Sequence, residues 1–148
     1  MQANEIYDEI KQIMSTSIPK EAKGATFPAR IYENVTQGGL FWFLENGKED
    51  TFEMEDELGD EINEKIENLL KTLQKDMVSK NEPWTHCKIT LSDKGEFNIE
   101  FADIPQEDSW GGLFLKRVSD LSFEEVKKHC YIPKKEWKKR KILYGKES

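Results

Sequence analysis

The stretch DELGDEINEKIENLLKTLQKDMVS, residues 56–79, decides the fold. Leu58, Ile62, Ile66, Leu69, Leu70, Leu73 and Met77 recur at offsets of three and four along it. That spacing predicts one long amphipathic helix from about Asp56 to about Ser79, with the apolar row buried. A single stripe of this kind needs an apolar surface to lie on, and the sequence just downstream supplies one. In HCKITLSDKGEFNIEF, residues 86–101, Cys87, Ile89 and Leu91 alternate with His86, Lys88 and Thr90, and Phe97, Ile99 and Phe101 alternate with Glu96, Asn98 and Glu100. The two arms flank Asp93-Lys94-Gly95, so they predict a hairpin with one buried and one wet face, Cys87 inside and His86 at the surface.

Upstream, Ile6, Ile10, Ile13 and Met14 give a short amphipathic helix over about Asn4–Ser15, closed by Ile18-Pro19. Phe27, Ala29 and Ile31 alternate with Pro28, Arg30 and Tyr32 in a strand between Ala25 and Asn34, where the proline argues for an edge position or a strand start. Leu40–Leu44 is an apolar and aromatic run that leads into Asn46-Gly47, a pair suited to a tight type I′ turn, with a return strand near Thr51–Met54. After Phe101 come a loop over Ile104–Gly112, a further short segment over Leu113–Val118, and a helix opened by the capping box Ser122-Phe123-Glu124-Glu125 and running to about Cys130. The order α-β-β-β-α-β-β-α with short connections predicts an α+β fold, an antiparallel sheet with helices packed on it. At 148 residues the expectation is a single domain over 1–148, with a basic C-terminal segment from about residue 127.

Composition narrows the function classes. A formal charge of −7 disfavours non-specific nucleic-acid binding, and no run approaches the ~18 apolar residues of a membrane span. Two cysteines are too few for a secreted disulfide framework, and the first residues lack a basic region followed by an apolar run, so a cytoplasmic protein with reduced thiols is expected. Neither Gly47-Lys48 nor Gly145-Lys146 has the context of a phosphate-binding loop, and there is no Gly-x-Ser-x-Gly elbow. His86-Cys87 and His129-Cys130 resemble ligand pairs, but adjacent side chains diverge on a strand or helix, so neither pair chelates alone. One residue from each pair could still converge in the fold. The simpler reading has a buried Cys87 and a surface His86, with no metal, cofactor or catalytic site expected and therefore no enzyme.

Charge is unevenly distributed. Between Glu45 and Glu67 eleven acids stand against Lys48 and Lys65, a segment of −9. Acids in the first turn of a helix are favoured by its dipole, which accounts for Asp56, Glu57 and Asp60 but not for Asp50, Glu53 and Glu55 ahead of it or Glu61 and Glu64 beyond. Two readings fit, a solvated helix face and a negative docking surface for a basic partner. The C-terminal segment carries +7 over residues 127–148; such a stretch could meet nucleic acid or an anionic membrane, but the commoner outcome is a solvated tail or pairing with the protein's own acidic face, and Trp137 within it is expected to pin it to the body. Trp110, in a loop beside Glu107, Asp108 and Gly111-Gly112, is either an interface aromatic or a packing residue.

Several of these stretches together resemble the YezG family of small bacterial immunity proteins, or antitoxins. The resemblance rests on Glu5-Ile6-Tyr7 in a helix ending at Ile18-Pro19, on Phe41-Trp42-Phe43, on the long helix, and on Glu82-Pro83-Trp84-Thr85 followed by Thr90–Phe101. It covers roughly Glu5 to Phe101; Ala22 stands where the family often has an aromatic, and the Lys-rich end is individual. The resemblance implies a binding protein with no catalytic residues to carry over, encoded beside a polymorphic toxin, often a nuclease, whose C-terminal domain it occludes. The partner expected is that toxin domain, basic in character, with neither nucleic acid nor membrane. Asp50, Glu53, Glu55, Asp56, Glu57, Asp60, Glu61, Glu64 and Trp110 are the candidate contact residues. A non-catalytic adaptor with a different partner is the alternative.

Overall fold

A computed structural model of the chain describes residues 2–111, 113–128 and 132–145. Helix α1 (Ala3–Ser17) and helix α2 (Glu57–Ser79) pack on each other and against one face of an antiparallel sheet. The strands are β1 (Gly24–Ile31), β2 (Thr36–Gly38), β3 (Phe41–Phe43), β4 (Glu49–Thr51), β5 (His86–Ser92) and β6 (Phe97–Ala102), in the spatial order β4-β3-β1-β5-β6 with β2 also on β1. The core joins Ile6, Ile10 and Met14 of α1 and Ile66, Leu70 and Leu73 of α2 to the inward residues of β1 and β5. The α+β fold is as the sequence indicates, with one strand and one helix more: β2, and α4 (Lys134–Tyr144) in the basic segment.

Helix α2 begins where its sequence dictates. The Asp56 carboxylate accepts hydrogen bonds from Leu58 N and Gly59 N at 3.0 and 3.2 Å, satisfying two otherwise unpaired donors of the first turn. At the other end Asn81 takes a left-handed conformation, φ 61°, and Glu82 N and Asn81 N donate back to Met77 O and Val78 O. This is a Schellman closure, and the left-handed residue it requires is an Asn in place of the commoner Gly. The Glu82-Pro83-Trp84 exit is then fixed by Gln74, whose amide donates to both Ile31 O and Trp84 O.

Three expectations about the strands need correction. Pro28 is neither at an edge nor at a strand start, since β1 is central and pairs with β5 from Gly24 through Arg30. On its other side β1 pairs with β3 only at Ala25 and Thr26 and with β2 only from Ala29 to Ile31. Ile31 N donates toward the β5 side, to Thr85 O, so by alternation the Pro28 nitrogen turns toward the gap between β2 and β3, where no donor is needed. Secondly, the Asn46-Gly47 turn is not type I′, because only Gly47 has a positive φ, +82°. Leu44 and Lys48 close a three-residue loop with the glycine in the left-handed position, and the β5–β6 turn at Asp93-Lys94-Gly95 repeats that form. Thirdly, the return strand lies at Glu49–Thr51 rather than Thr51–Met54, in register with Phe43–Phe41 directly after that short loop.

A second apolar cluster, Leu113, Val118, Leu121, Val126 and Ile132, forms in the C-terminal third, with Trp110 and Trp137 against it. Leu113–Val118 is irregular and leads into a 3-10 turn, Val118–Asp120, and α3 (Phe123–Lys128) opens on the expected box, Glu125 N to Ser122 Oγ and Ser122 N to Glu125 Oε1. That backbone hydrogen bond, with Lys116 nearby, holds the Glu125 carboxyl below its usual range. The expected continuation of this helix through Cys130 falls outside the described residues. Trp137 does pin α4, donating from its indole to Leu121 O at 2.8 Å.

Gly59 faces Phe52 so closely that a methyl group there would stand 2.6 Å from the Phe52 Cβ and Cγ. Alanine gains up to about 1 kcal/mol of helix propensity, but overpacking of this kind costs about 1–3 kcal/mol. Gly59→Ala is therefore expected to lower the urea midpoint at unchanged slope; a raised midpoint would mean that Phe52 moves aside freely.

Candidate partner-binding surface

The acidic residues collect where β4 runs into α2. Asp50 lies on β4; Glu53 and Glu55 occupy the turn; Asp56 caps the helix; and Glu57, Asp60, Glu61 and Glu64 recur at three- and four-residue spacing on α2. All are exposed except Asp56, half-buried by its capping role. The helix turns them outward because Ile66, Leu70 and Leu73 occupy the opposite side. Asn63, at the border of the two faces, accepts a hydrogen bond from Leu40 N and so fixes the helix's rotation against the sheet. Asp60, Glu64 and Glu67 line one shallow groove with Asn63, Asn68 and Lys71. Burial raises the Glu67 carboxyl above its usual range, Lys71 opposes this, and Glu64 adds to it.

Four ion pairs occur among the described residues: Lys80–Asp76, Lys116–Glu125, Lys127–Glu124 and Arg140–Glu136. None involves a residue between Glu45 and Glu67, so among the described residues no ion pair joins the acidic segment to the basic end. The cations of α4 are used differently. Arg140 donates to Ser109 O at 2.6 Å and stacks over Trp110, and Lys141 donates to Ser119 O at 3.1 Å. Beneath them Asp108 is fully buried, accepting from Ser119 N at 3.0 Å and bonded to the Ser119 hydroxyl. The basic helix is thus clasped onto the second cluster. Trp110 is half-buried in that clasp and is not brought into the acidic group, whose neighbours Phe52 and Ile62 pack on the main core.

Two apolar side chains in the acidic region escaped sequence reasoning. Leu58, counted there as the start of the buried row, is 61% exposed, and Met54, in the turn, is 94% exposed. The helical wheel explains Leu58: relative to Ile66 it lies about 80° off the centre of the buried face, whereas Gly59 lies within about 20° of it and meets Phe52. The available signal was an apolar residue between two acids, Glu53-Met54-Glu55, outside any periodic element.

His86 and Cys87 sit on opposite faces of β5, as expected, but His86 is fully buried and not at the surface. The sheet face that alternation assigns to water is covered at this end: Tyr32 and Phe114 meet the imidazole edge-on, and Tyr32 is held by a 2.6 Å hydrogen bond to Ile104 O. Thr85 Oγ1 and His86 Nδ1 are hydrogen-bonded at 2.8 Å, while His86 Nε2 and Arg30 Nε are buried without hydrogen-bond partners among the described residues. Burial, reinforced by the Arg30 guanidinium, pushes the imidazole down to about 4, and burial alone pushes the Cys87 thiol up to about 12. His129 and Cys130 lie outside the described residues, and among the described ones no three His, Cys, Asp or Glu side chains are arranged to hold a metal ion. No described helix is long and apolar enough to cross a membrane.

Two helices on one face of an antiparallel sheet, with the acidic side of α2 turned outward, define an α+β architecture. The chain belongs to the YezG-like family of immunity proteins, whose family model, described as "Immunity protein YezG-like", matches residues 3–143. The match extends about forty residues past the Phe101 limit of the resemblance seen in the sequence, taking in the second cluster and most of α4. No curated protein matches the chain.

The buried imidazole generates a pH prediction. The unfolded chain binds a proton at His86 below about pH 6.5, which the native state refuses until about pH 4, so stability is full above that window and falls as pH drops through it. Between about pH 7.5 and about pH 5 the loss is expected to be about 2 kcal/mol. Urea titrations of wild type and His86→Phe should show the variant's dependence flattened; equal slopes in the two proteins would place the titration elsewhere.

Proposed function

We propose that the protein is the cytoplasmic antidote to a cognate toxin, binding the toxin's C-terminal domain and occluding its active site or substrate surface. The family supports an immunity role and, with it, a toxin protein as partner. The observation that carries the finer reading is the exposed acidic set from Asp50 through Glu64, free of internal ion pairs among the described residues. A toxin domain built to hold nucleic acid presents the complementary cationic groove, and a nuclease is the activity that such a groove serves. Asp50, Glu53, Glu55, Asp56, Glu57, Asp60, Glu61 and Glu64 would face it, raising the association rate by steering. Trp110, already committed to Arg140, is assigned a secondary part at most.

Co-expression with the toxin domain encoded next to it tests the role: survival of the cells and a co-purifying complex are expected. Reversing Glu57, Asp60 and Glu61 to lysine should then lower the association rate by about tenfold or more at low ionic strength, with the difference shrinking as salt rises. Unchanged association kinetics would reject this face. Absence of both rescue and complex would reject the immunity role and favour an adaptor.

A further inference from the structure

Resting on that reading, we propose that Met54, with Leu58 four residues on, is the apolar anchor of the interface, seated in a base-sized apolar pocket within the toxin's cationic nucleic-acid groove. Met54 is 94% exposed and Leu58 61%, two of only five strongly exposed large apolar side chains among the described residues, and both fall inside the −9 segment. A large apolar side chain ringed by charges is the arrangement of a binding hot spot, where the centre supplies residence time and the polar rim excludes water.

The turn that carries Met54 is held from both sides. Thr51 Oγ1 donates to Leu40 O at 2.7 Å, and Phe52 is wedged between Trp42, edge-on at 5.2 Å, and the backbone of Gly59. Asp56 N donates to Glu53 O, closing the turn around Met54, while the Asp56 carboxylate caps the helix on which Leu58 stands. A side chain so exposed on backbone so fixed loses little entropy on docking, apart from its own rotamers. Methionine's unbranched, polarizable chain also suits a slot shaped for a flat base.

Charge complementarity identifies the occupant. Sites for single-stranded nucleic acid combine a cationic groove for the phosphates with aromatic side chains that give the bases an apolar surface to stack on. In the run Glu53–Leu58 the apolar Met54 and Leu58 flank three consecutive acids, Glu55, Asp56 and Glu57, so in this interface carboxylates stand for phosphates and Met54 for a base. Binding would therefore compete directly with the toxin's substrate.

The test uses the full chain and the toxin domain encoded beside it, with association and dissociation followed at about 50 and about 300 mM salt. Met54→Ala is expected to speed dissociation by about tenfold at both salts, Leu58→Ala by less, with thermal midpoints unmoved because neither side chain is in the core. A single-stranded oligonucleotide should displace the wild-type protein from the toxin. If wild type binds and the lysine reversals slow association while Met54→Ala stays within about twofold at both salts, the anchor is wrong and the acidic face stands. If the oligonucleotide and the protein bind the toxin together, substrate mimicry is overturned. If wild type does not bind the toxin at all, the immunity reading falls and the anchor with it.

Discussion

The structure depends on the seating of one row of side chains. Ile66, Leu70 and Leu73 are fully buried on α2, and everything that gives the molecule a front and a back follows from which way that row points. Once it lies on the sheet, α1 can complete the same layer with Ile6, Ile10 and Met14. The other side of α2 is left to water with its carboxylates facing out. Two amides keep the helix from rolling: Asn63 accepts from Leu40 N near one end, and Gln74 donates to Ile31 O and Trp84 O near the other. Rolling by even one position would strand those backbone groups and bury a charge, so the acidic face is held as firmly as the core.

That face works against the helix that carries it. Acids at Glu57 and Asp60 gain from the dipole, but Glu61, Glu64 and Glu67 lie beyond its reach and repel their neighbours at three-residue spacing. At Glu67 burial is the main cause that raises the carboxyl, Lys71 opposes it, and Glu64 adds a smaller part. Lysines at alternate positions would relieve this, yet only Lys65 breaks the series before Lys71. A surface that forgoes such stabilisation is the pattern expected where charge serves a partner at the expense of the fold.

Local features of the fold were legible in the sequence, and those that depend on distant contacts were not. The long helix, the 86–101 hairpin and the Ser122 box are written in spacing that needs no partner to be read. Pro28 misleads because its missing donor is excused by a gap between two other strands, which only the assembled sheet reveals. His86 misleads because alternation predicts facing but not covering, and Phe114 and Tyr32 come from elsewhere in the chain to cover it. Helix α4 was hidden by its charge: none of its residues is buried, and what fastens it is the Trp137 indole with the head groups of Arg140 and Lys141 rather than an aliphatic row. The acids of the candidate site were visible as a count, whereas Met54 becomes conspicuous only once its exposure is known.

The two charged ends also differ in kind. In α4, Arg140 and Lys141 are turned inward onto backbone carbonyls around buried Asp108, so part of that segment's charge is structural and a partner would have to displace it to use it. In the acidic segment Asp50 and Asp56 accept local backbone hydrogen bonds, and Asp60, Glu64 and Glu67 line the groove beside Lys71. Glu53, Glu55, Glu57, Glu61 and Glu64 make no side-chain hydrogen bond or ion pair among the described residues. A rigid backbone with unengaged carboxylates incurs almost no reorganisation on meeting cations, whereas a clasped basic helix would have to be released first. Of the two charged surfaces, the acidic one is therefore the one whose side chains are unengaged, which is why we propose it for the partner, and the basic one is fastened to the C-terminal third.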